Sequence, residues 1–269
     1  MGLKIKDLRL KIRKKDNMKG VKMGKPNVAC QLIIFGARGG NDLPGVLKEI
    51  ADAGYAGIEA GPSPDASAMK KLLDSFGLKL AGIHTGYGGF DDLKESIAYL
   101  KAMNSNLYMI SGVGDTSKGI KAYEDTAKVF NEVGRKCHEE GIKFCYHNHS
   151  WEFQKYDGVV ALDRLYELTD PKYVHLCVDV YWVQHGGQSP VEFLKKNLDR
   201  VATVHLKDMF PDKGFAEVGS GIIDFPGIKE VLKAKKDLEW VVVEQDNTKR
   251  TPKESASMSR SYLKEKIGV

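Results

Sequence analysis

From Asn27 onward, short apolar runs alternate with amphipathic stretches eight times over, and this rhythm restricts the fold more than any other feature of the chain. The runs Ala29–Phe35, Ala56–Ala60, Leu78–His84, Leu107–Ser111, Lys143–His147, Val174–Asp179, Ala202–Lys207 and Trp240–Gln245 read as buried strands. Between them, apolar residues recur three and four apart, as at Leu43, Val46, Leu47, Ile50 and Ala51, which is the period of a helix. The same period marks Ser67–Phe76, Leu93–Met103, Lys121–Glu140, Val159–Leu168, Pro190–Leu198 and Ile228–Lys235. Thr251–Pro252–Lys253–Glu254 is a capping box that opens a last helix, Ser189–Pro190 and Asp224–Phe225–Pro226 are similar starts, and Gly54, Gly77 and Gly141 stand where helices should stop. Successive parallel strands need right-handed crossovers, and eight such units close into a single α/β domain, a (β/α)8 or TIM barrel. An open doubly wound sheet is normally announced by a GxGxxG turn after its first strand. Phe35–Gly36–Ala37–Arg38–Gly39–Gly40 lacks that spacing.

The net charge of +5 is unevenly placed. Residues 1–26 carry ten Lys/Arg against two acids, net +8, which leaves thirty-one basic and thirty-four acidic residues, net −3, for residues 27–269. A mildly acidic domain is a poor nucleic-acid surface. Residues 1–26 are expected to be a basic, disordered leader, and residues 27–269 the barrel. The leader lacks the apolar centre of a signal peptide, and no run of about 18 apolar residues offers a membrane span. A cytoplasmic protein is therefore expected. Cys30, Cys137, Cys145 and Cys177 form no CxxC pair and read as small buried hydrophobes of a reduced compartment.

In a barrel of this kind the active site lies at the C-terminal ends of the strands. Those ends carry Glu59, His84, His147–Asn148–His149 with Glu152 beyond, Asp179 followed by Tyr181 and Trp182, His205–Leu206–Lys207–Asp208, and Glu244–Gln245–Asp246. A lone histidine there is more often a hydrogen-bonded structural residue than a ligand, and a lone aspartate more often caps a helix. Asp179, His205 and Glu244, however, each follow a strongly apolar strand, where an ionisable group is costly unless paired or metal-bound. Imidazoles and carboxylates together suit a divalent cation: Mn²⁺ first, with Mg²⁺, Co²⁺ or Zn²⁺ as alternatives. His138 lies on a helix and reads as surface, His175 enters strand six from the opposite end, and His185 is placed to touch substrate.

These segments resemble the xylose-isomerase-like sugar phosphate isomerases and epimerases, relatives of tagatose epimerase, inosose dehydratase and the apurinic endonucleases. The resemblance runs from Val28 to the C-terminus through Gly54–Glu59, Gly82–His84, Tyr146–Phe153, Asp179–Trp182, Val204–Asp208, Val218–Asp224 and Val243–Glu244. It implies metal ligation by Asp179, His205 and Glu244. Epimerases of this superfamily supply a fourth ligand, a glutamate, from strand five; here Cys145 stands in its place. His147 and His149 share the face of Cys145, since strand residues alternate. His147 is accordingly the expected fourth ligand, with Glu152 or His149 as replacements.

The expected activity is divalent-metal-dependent isomerisation or epimerisation of a keto or aldo sugar, or a related polyol, through an enediolate. Glu152, His149 and Glu244 are the expected acid/base groups. Glu59, His84, Trp182, His185 and Lys207 are expected to bind substrate, with Phe35 beside Trp182 against the sugar's apolar face. The same parts also suit a lyase, a dehydratase or a keto-glycoside hydrolase. Val218–Gly219–Ser220–Gly221 reads as a tight loop ahead of the Asp224 cap in preference to a phosphate cradle. Two other readings compete. An apurinic endonuclease would want more than seven histidines and a basic face, and a metal-free sugar-binding module would explain the missing glutamate. The partner is expected to be a small carbohydrate, not nucleic acid or membrane. Helices on the barrel's outer face suit homo-oligomer pairing.

Overall fold

The computed structural model describes residues 25–269, so all but the last two residues of the expected leader lie outside the described residues. Eight parallel strands close a barrel: β1 Asn27–Gln31, β2 Gly57–Ala60, β3 Lys79–Gly86, β4 Leu107–Ser111, β5 Lys143–His147, β6 Val174–Asp179, β7 Val201–Leu206 and β8 Trp240–Val243. Each pairs with its neighbours in the chain, and β1 meets β8 in the register Asn27↔Trp240. The helices after the strands are α1 Leu43–Asp52, α2 Ala66–Ser75, α3 Leu93–Ala102, α4 Ile120–Glu139, α5 Ala161–Leu168, α6 Pro190–Asn197, α7 Phe225–Leu232 and α8 Pro252–Tyr262. Asp42, Ser189 and Asp224 accept hydrogen bonds at the starts of α1, α6 and α7, and the Thr251–Glu254 capping box opens α8. Gly77 and Gly141 leave α2 and α4 with positive φ, a conformation that a side chain would strain.

Several boundaries differ from the sequence expectation, and strands β3 and β8 end two residues later and earlier than expected, at Gly86 and Val243. The first strand ends at Gln31, and Leu32–Phe35 turns as a 3₁₀ helix because Gln31 Oε1 accepts from the Ile33 N–H. Val159–Val160 pairs with Lys155–Tyr156 in a hairpin before α5 begins. A short helix, Val180–His185, follows β6 directly.

Alternation along the strands separates two cores. Val178, Val204 and Val243 pack outward with Leu47, Phe130 and other helix residues, whereas Ala29, Ala81, Met109, Cys145, Cys177, Ala202, Trp240 and Val242 fill the barrel interior. All four cysteines are buried and unpaired. Two strands break strict alternation. Between β2 and β3 the register shifts so that Glu59 faces Gly82, and between β6 and β7 it shifts so that Cys177 faces Thr203. Ala81 and Ala202 are interior; strict alternation from either one would send His84 and His205 outward. The inserted residue in each strand re-aims both histidines to the inside.

Gly82 makes the first bulge feasible: a Cβ there would stand 2.6 Å from the Leu107 carbonyl oxygen. We expect Gly82→Ala to lower unfolding stability by about 1–3 kcal/mol, read as a lower urea midpoint.

Candidate metal centre

Five strands deliver the polar groups at the C-terminal mouth, Glu59 from β2, His84 from β3, His147 from β5, Asp179 from β6 and His205 from β7, all buried except the half-buried His84. Glu244 follows the end of β8. His147, Asp179, His205 and Glu244 each bring one ligand atom to within 4.8 Å of all the others. His147 Nε2 lies 3.4 Å from both Asp179 Oδ2 and Glu244 Oε2, and His205 Nδ1 touches Glu244 Oε2. Cys145 sits one interior step below His147 and takes no part; burial drives its thiol pKa well above the ordinary value.

Local structure explains why these residues converge. Asp179 divides its carboxylate between two tasks. Oδ1 accepts from the Trp182 N–H as the cap of Val180–His185, while Oδ2 faces the cluster. The cap and ligand readings of Asp179 are thus compatible. Asn148 clamps the ends of β5 and β6 together: its amide donates to the Asp179 carbonyl at 3.3 Å, and its carbonyl accepts the Asp179 N–H at 3.1 Å. His147–Asn148–His149 is therefore two inward rings separated by a strand clamp, a role that sequence reasoning missed.

The donor set fits a cation on chemical grounds. Asp179, Glu244 and Asp246 place three carboxylates around the ammonium of Lys207, which is fully buried. Its Nζ lies 3.1 Å from Asp179 Oδ2 and 3.6 Å from Glu244 Oε2, beneath the rings of Tyr181, Trp182 and Phe215. Asp179 Oδ2 and both His147 nitrogens are buried without a well-directed hydrogen bond. Buried polar atoms seldom go unpartnered, and a divalent ion would satisfy these together.

The remaining candidates are placed as follows. Glu59 has both carboxylate oxygens engaged: Oε2 accepts from His205 Nε2 at 2.9 Å and Oε1 from His84 Nδ1 at 3.0 Å. Burial would raise its pKa, but the His205 and His84 imidazoles outweigh that and hold it near 2. Glu59, His84 and His205 also lie close enough to make a second ligand group, yet this closed hydrogen-bond chain already satisfies both Glu59 oxygens. Glu152 departs from expectation. It hangs on the outer side of β5, where Oε1 accepts from the Tyr146 hydroxyl at 2.6 Å and Oε2 from the His149 N–H at 2.8 Å. Tyr146 points away from His147 by alternation, and Glu152 goes with it.

His149 does face the site. Its Nδ1 is buried and unpaired, and burial, reinforced by His147, holds its pKa near 3, so the ring is neutral. Trp182, whose ring lies 5.4 Å from that of His149, carries a buried Nε1 without a hydrogen-bond partner. His185 stays at the rim, with its ring against Tyr181 and Trp182, and Phe35 is buried in the core between barrel and helices. His138 is exposed on α4, and burial lowers the pKa of His175 to about 4 near the opposite end of the barrel.

Residues 218–221 have no free cradle for phosphate. The Asp208 carboxylate accepts from the N–H groups of Met209, Gly219, Gly221 and Ile223, between 2.7 and 3.1 Å. Asp208 was legible only as part of a motif, since three of its four partners lie 11 to 15 residues on.

The chain belongs to the xylose isomerase-like TIM barrel family, whose profile matches residues 47–266. An inosose dehydratase of Clostridium botulinum is 29% identical, covering 85% of this chain and 91% of its own length. An inosose dehydratase of Geobacillus kaustophilus is 28% identical, with coverages of 83% and 90%. The crystal structure of a sugar phosphate isomerase/epimerase from Parabacteroides distasonis superposes with a TM-score of 0.77 at 23% identity, over 93% of this chain and 97% of that one; it supports the fold. Among the described residues, no helix is long and apolar enough to cross a membrane.

Purified protein reconstituted with Mn²⁺ and dialysed is expected to retain about one ion per chain by mass spectrometry. Asp179→Ala and Glu244→Ala should lose it while keeping the fold by circular dichroism.

Proposed function

We propose that this chain is a divalent-cation-dependent enzyme that removes a proton beside the carbonyl of a keto-sugar or keto-cyclitol and expels a hydroxyl group from the next carbon. The observation that carries this reading is the cluster His147, Asp179, His205 and Glu244, set in a mouth lined by unpaired donors. Those four residues would hold the ion. When bound, it supplies a Lewis acid that polarises the substrate carbonyl and acidifies the neighbouring C–H.

The protein's own groups suggest the rest. Trp182 Nε1 is a buried donor without an acceptor, suited to a substrate hydroxyl. His149 is neutral and keeps Nδ1 free to accept a hydrogen bond from a substrate hydroxyl, while the proton leaving carbon goes to Glu244. Glu244 offers a carboxylate at the same point. Lys207 carries its proton at Nζ, between Asp179 and Glu244, and that proton is available to a departing hydroxyl. Tyr181, Trp182 and Phe215 keep water from the ammonium.

Elimination is favoured over epimerisation by the position of Glu152. Epimerisation needs a second group to return a proton on the opposite face, and the carboxylate expected for that work is bound to Tyr146 and the His149 N–H. The inosose dehydratase relatives, matched along most of their length, point the same way. Glu59 acts through His205. By accepting from Nε2 it leaves Nδ1 to face Glu244 and the cation, the usual carboxylate–histidine–metal arrangement.

The deciding measurement incubates Mn²⁺-loaded protein with scyllo-inosose and a panel of keto-hexoses in deuterated water. We expect growth of a conjugated enone absorbance together with solvent label next to the carbonyl. Label in a recovered or epimerised sugar without loss of water would move the assignment to isomerase. Absence of exchange throughout the panel would defeat both. Separately, Glu59→Gln is expected to weaken Mn²⁺ binding by about 10–100-fold by calorimetry, with the unbound protein still folded.

A further inference from the structure

Trp151 is unusual for an indole so close to a buried site: it is 48% exposed, at the start of the Trp151–Phe153 turn that follows β5. Its position is built rather than incidental. One ring face lies flat on His149, with centroids 4.0 Å apart and planes within 11°. The turn beneath it is pinned by Glu152, which links the Tyr146 hydroxyl to the His149 backbone. That gives the fully buried Glu152 a purpose outside the chemistry: it sets the level of Trp151 and His149 together. The Trp182 ring, 6.3 Å from Trp151 and 5.4 Å from His149, joins the two into one aromatic wall.

The wall starts at the cluster and ends in solvent. His147 is 5.0 Å from His149 by ring centroids, and Trp151 is the next step outward. A sugar ring held at the cluster would occupy the inner step, beside His147 and His149. Anything on the free indole face belongs to the following residue of a longer ligand. Indole faces are polarisable and weakly negative, and the C–H-rich face of a pyranose is a natural partner for them.

We infer that Trp151 is the platform of a second carbohydrate subsite, and that the ligand is a glycoside of at least two rings, its reacting ring at the cluster and its neighbour on the indole. This rests on the carbohydrate reading of the site proposed above. The probes are glucose, methyl β-D-glucopyranoside, cellobiose, maltose and trehalose, titrated calorimetrically into the Mn²⁺-loaded full chain, wild type and variant.

At least one disaccharide should bind about tenfold more tightly than glucose, the scale of one aromatic contact. Trp151→Ala should abolish that increment and leave the glucose Kd within about twofold, whereas Trp151→Phe should keep most of it. Three results would overturn the inference: no disaccharide outbinds glucose; Trp151→Ala weakens mono- and disaccharides alike, as a support acting only through His149 would; or the variant turns a sedimenting dimer into a monomer with sugar binding untouched, which makes the indole a protein contact. Deuterium exchange on single-ring keto-sugars is read independently. Exchange without the disaccharide increment removes the platform alone, and the increment without exchange removes the chemistry alone.

Discussion

Negative charge held out of water is the condition around which the mouth of this barrel is arranged. Asp179, Glu244 and Glu59 are buried, with Asp246 beside them, and the Lys207 ammonium lies against Asp179, Glu244 and Asp246. Carboxylates in such a setting are stable only with cations or protons close by. The imidazoles of His84, His147 and His205 border them, and burial working against the carboxylates' attraction decides the state of each ring. The cluster of His147, Asp179, His205 and Glu244, the closed Glu59 chain and the aromatic cover over Lys207 all answer the same electrostatic need.

The scaffold bears that cost because the rest of the barrel is apolar and regular. Small interior residues such as Ala29, Ala81, Cys145 and Cys177 fill the layer beneath the cluster without polar demands. Each polar group at the mouth is then fixed by one local device: the Asn148 clamp at Asp179, the short helix capped by Asp179 itself, and the Asp208 carboxylate that gathers residues 209–223. Strand ends supply rigidity, and the segments beyond them bring the rings of Trp151, Trp182 and Phe215 together.

Much of this was legible in the chain. Five strand positions lay within one residue of expectation at both ends, because runs such as Val174–Asp179 carry a signal of composition as well as period. His147 as partner to Asp179, His205 and Glu244 followed from alternation on a regular strand. Less was legible where alternation fails. His84 and His205 face inward by virtue of two register shifts, and a bulge has no clear mark in a single sequence beyond a glycine such as Gly82. Glu152 illustrates the opposite case: it was expected in the site from its nearness to His149 in the chain, and its carboxylate is taken up by the Tyr146 hydroxyl and the His149 N–H.

What the chain determined by itself is the alternation of strand and helix, and the placing of ionisable residues at strand ends; both follow from local periodicity and from the cost of charge in an apolar run. The tertiary structure alone decided which of those residues share a point in space. Glu59 meets His205 across 146 residues, and the Asp208 carboxylate commits the glycine-rich loop to structural work. Such pairings depend on barrel closure and strand register, which are properties of how eight strands fit together rather than of any one of them.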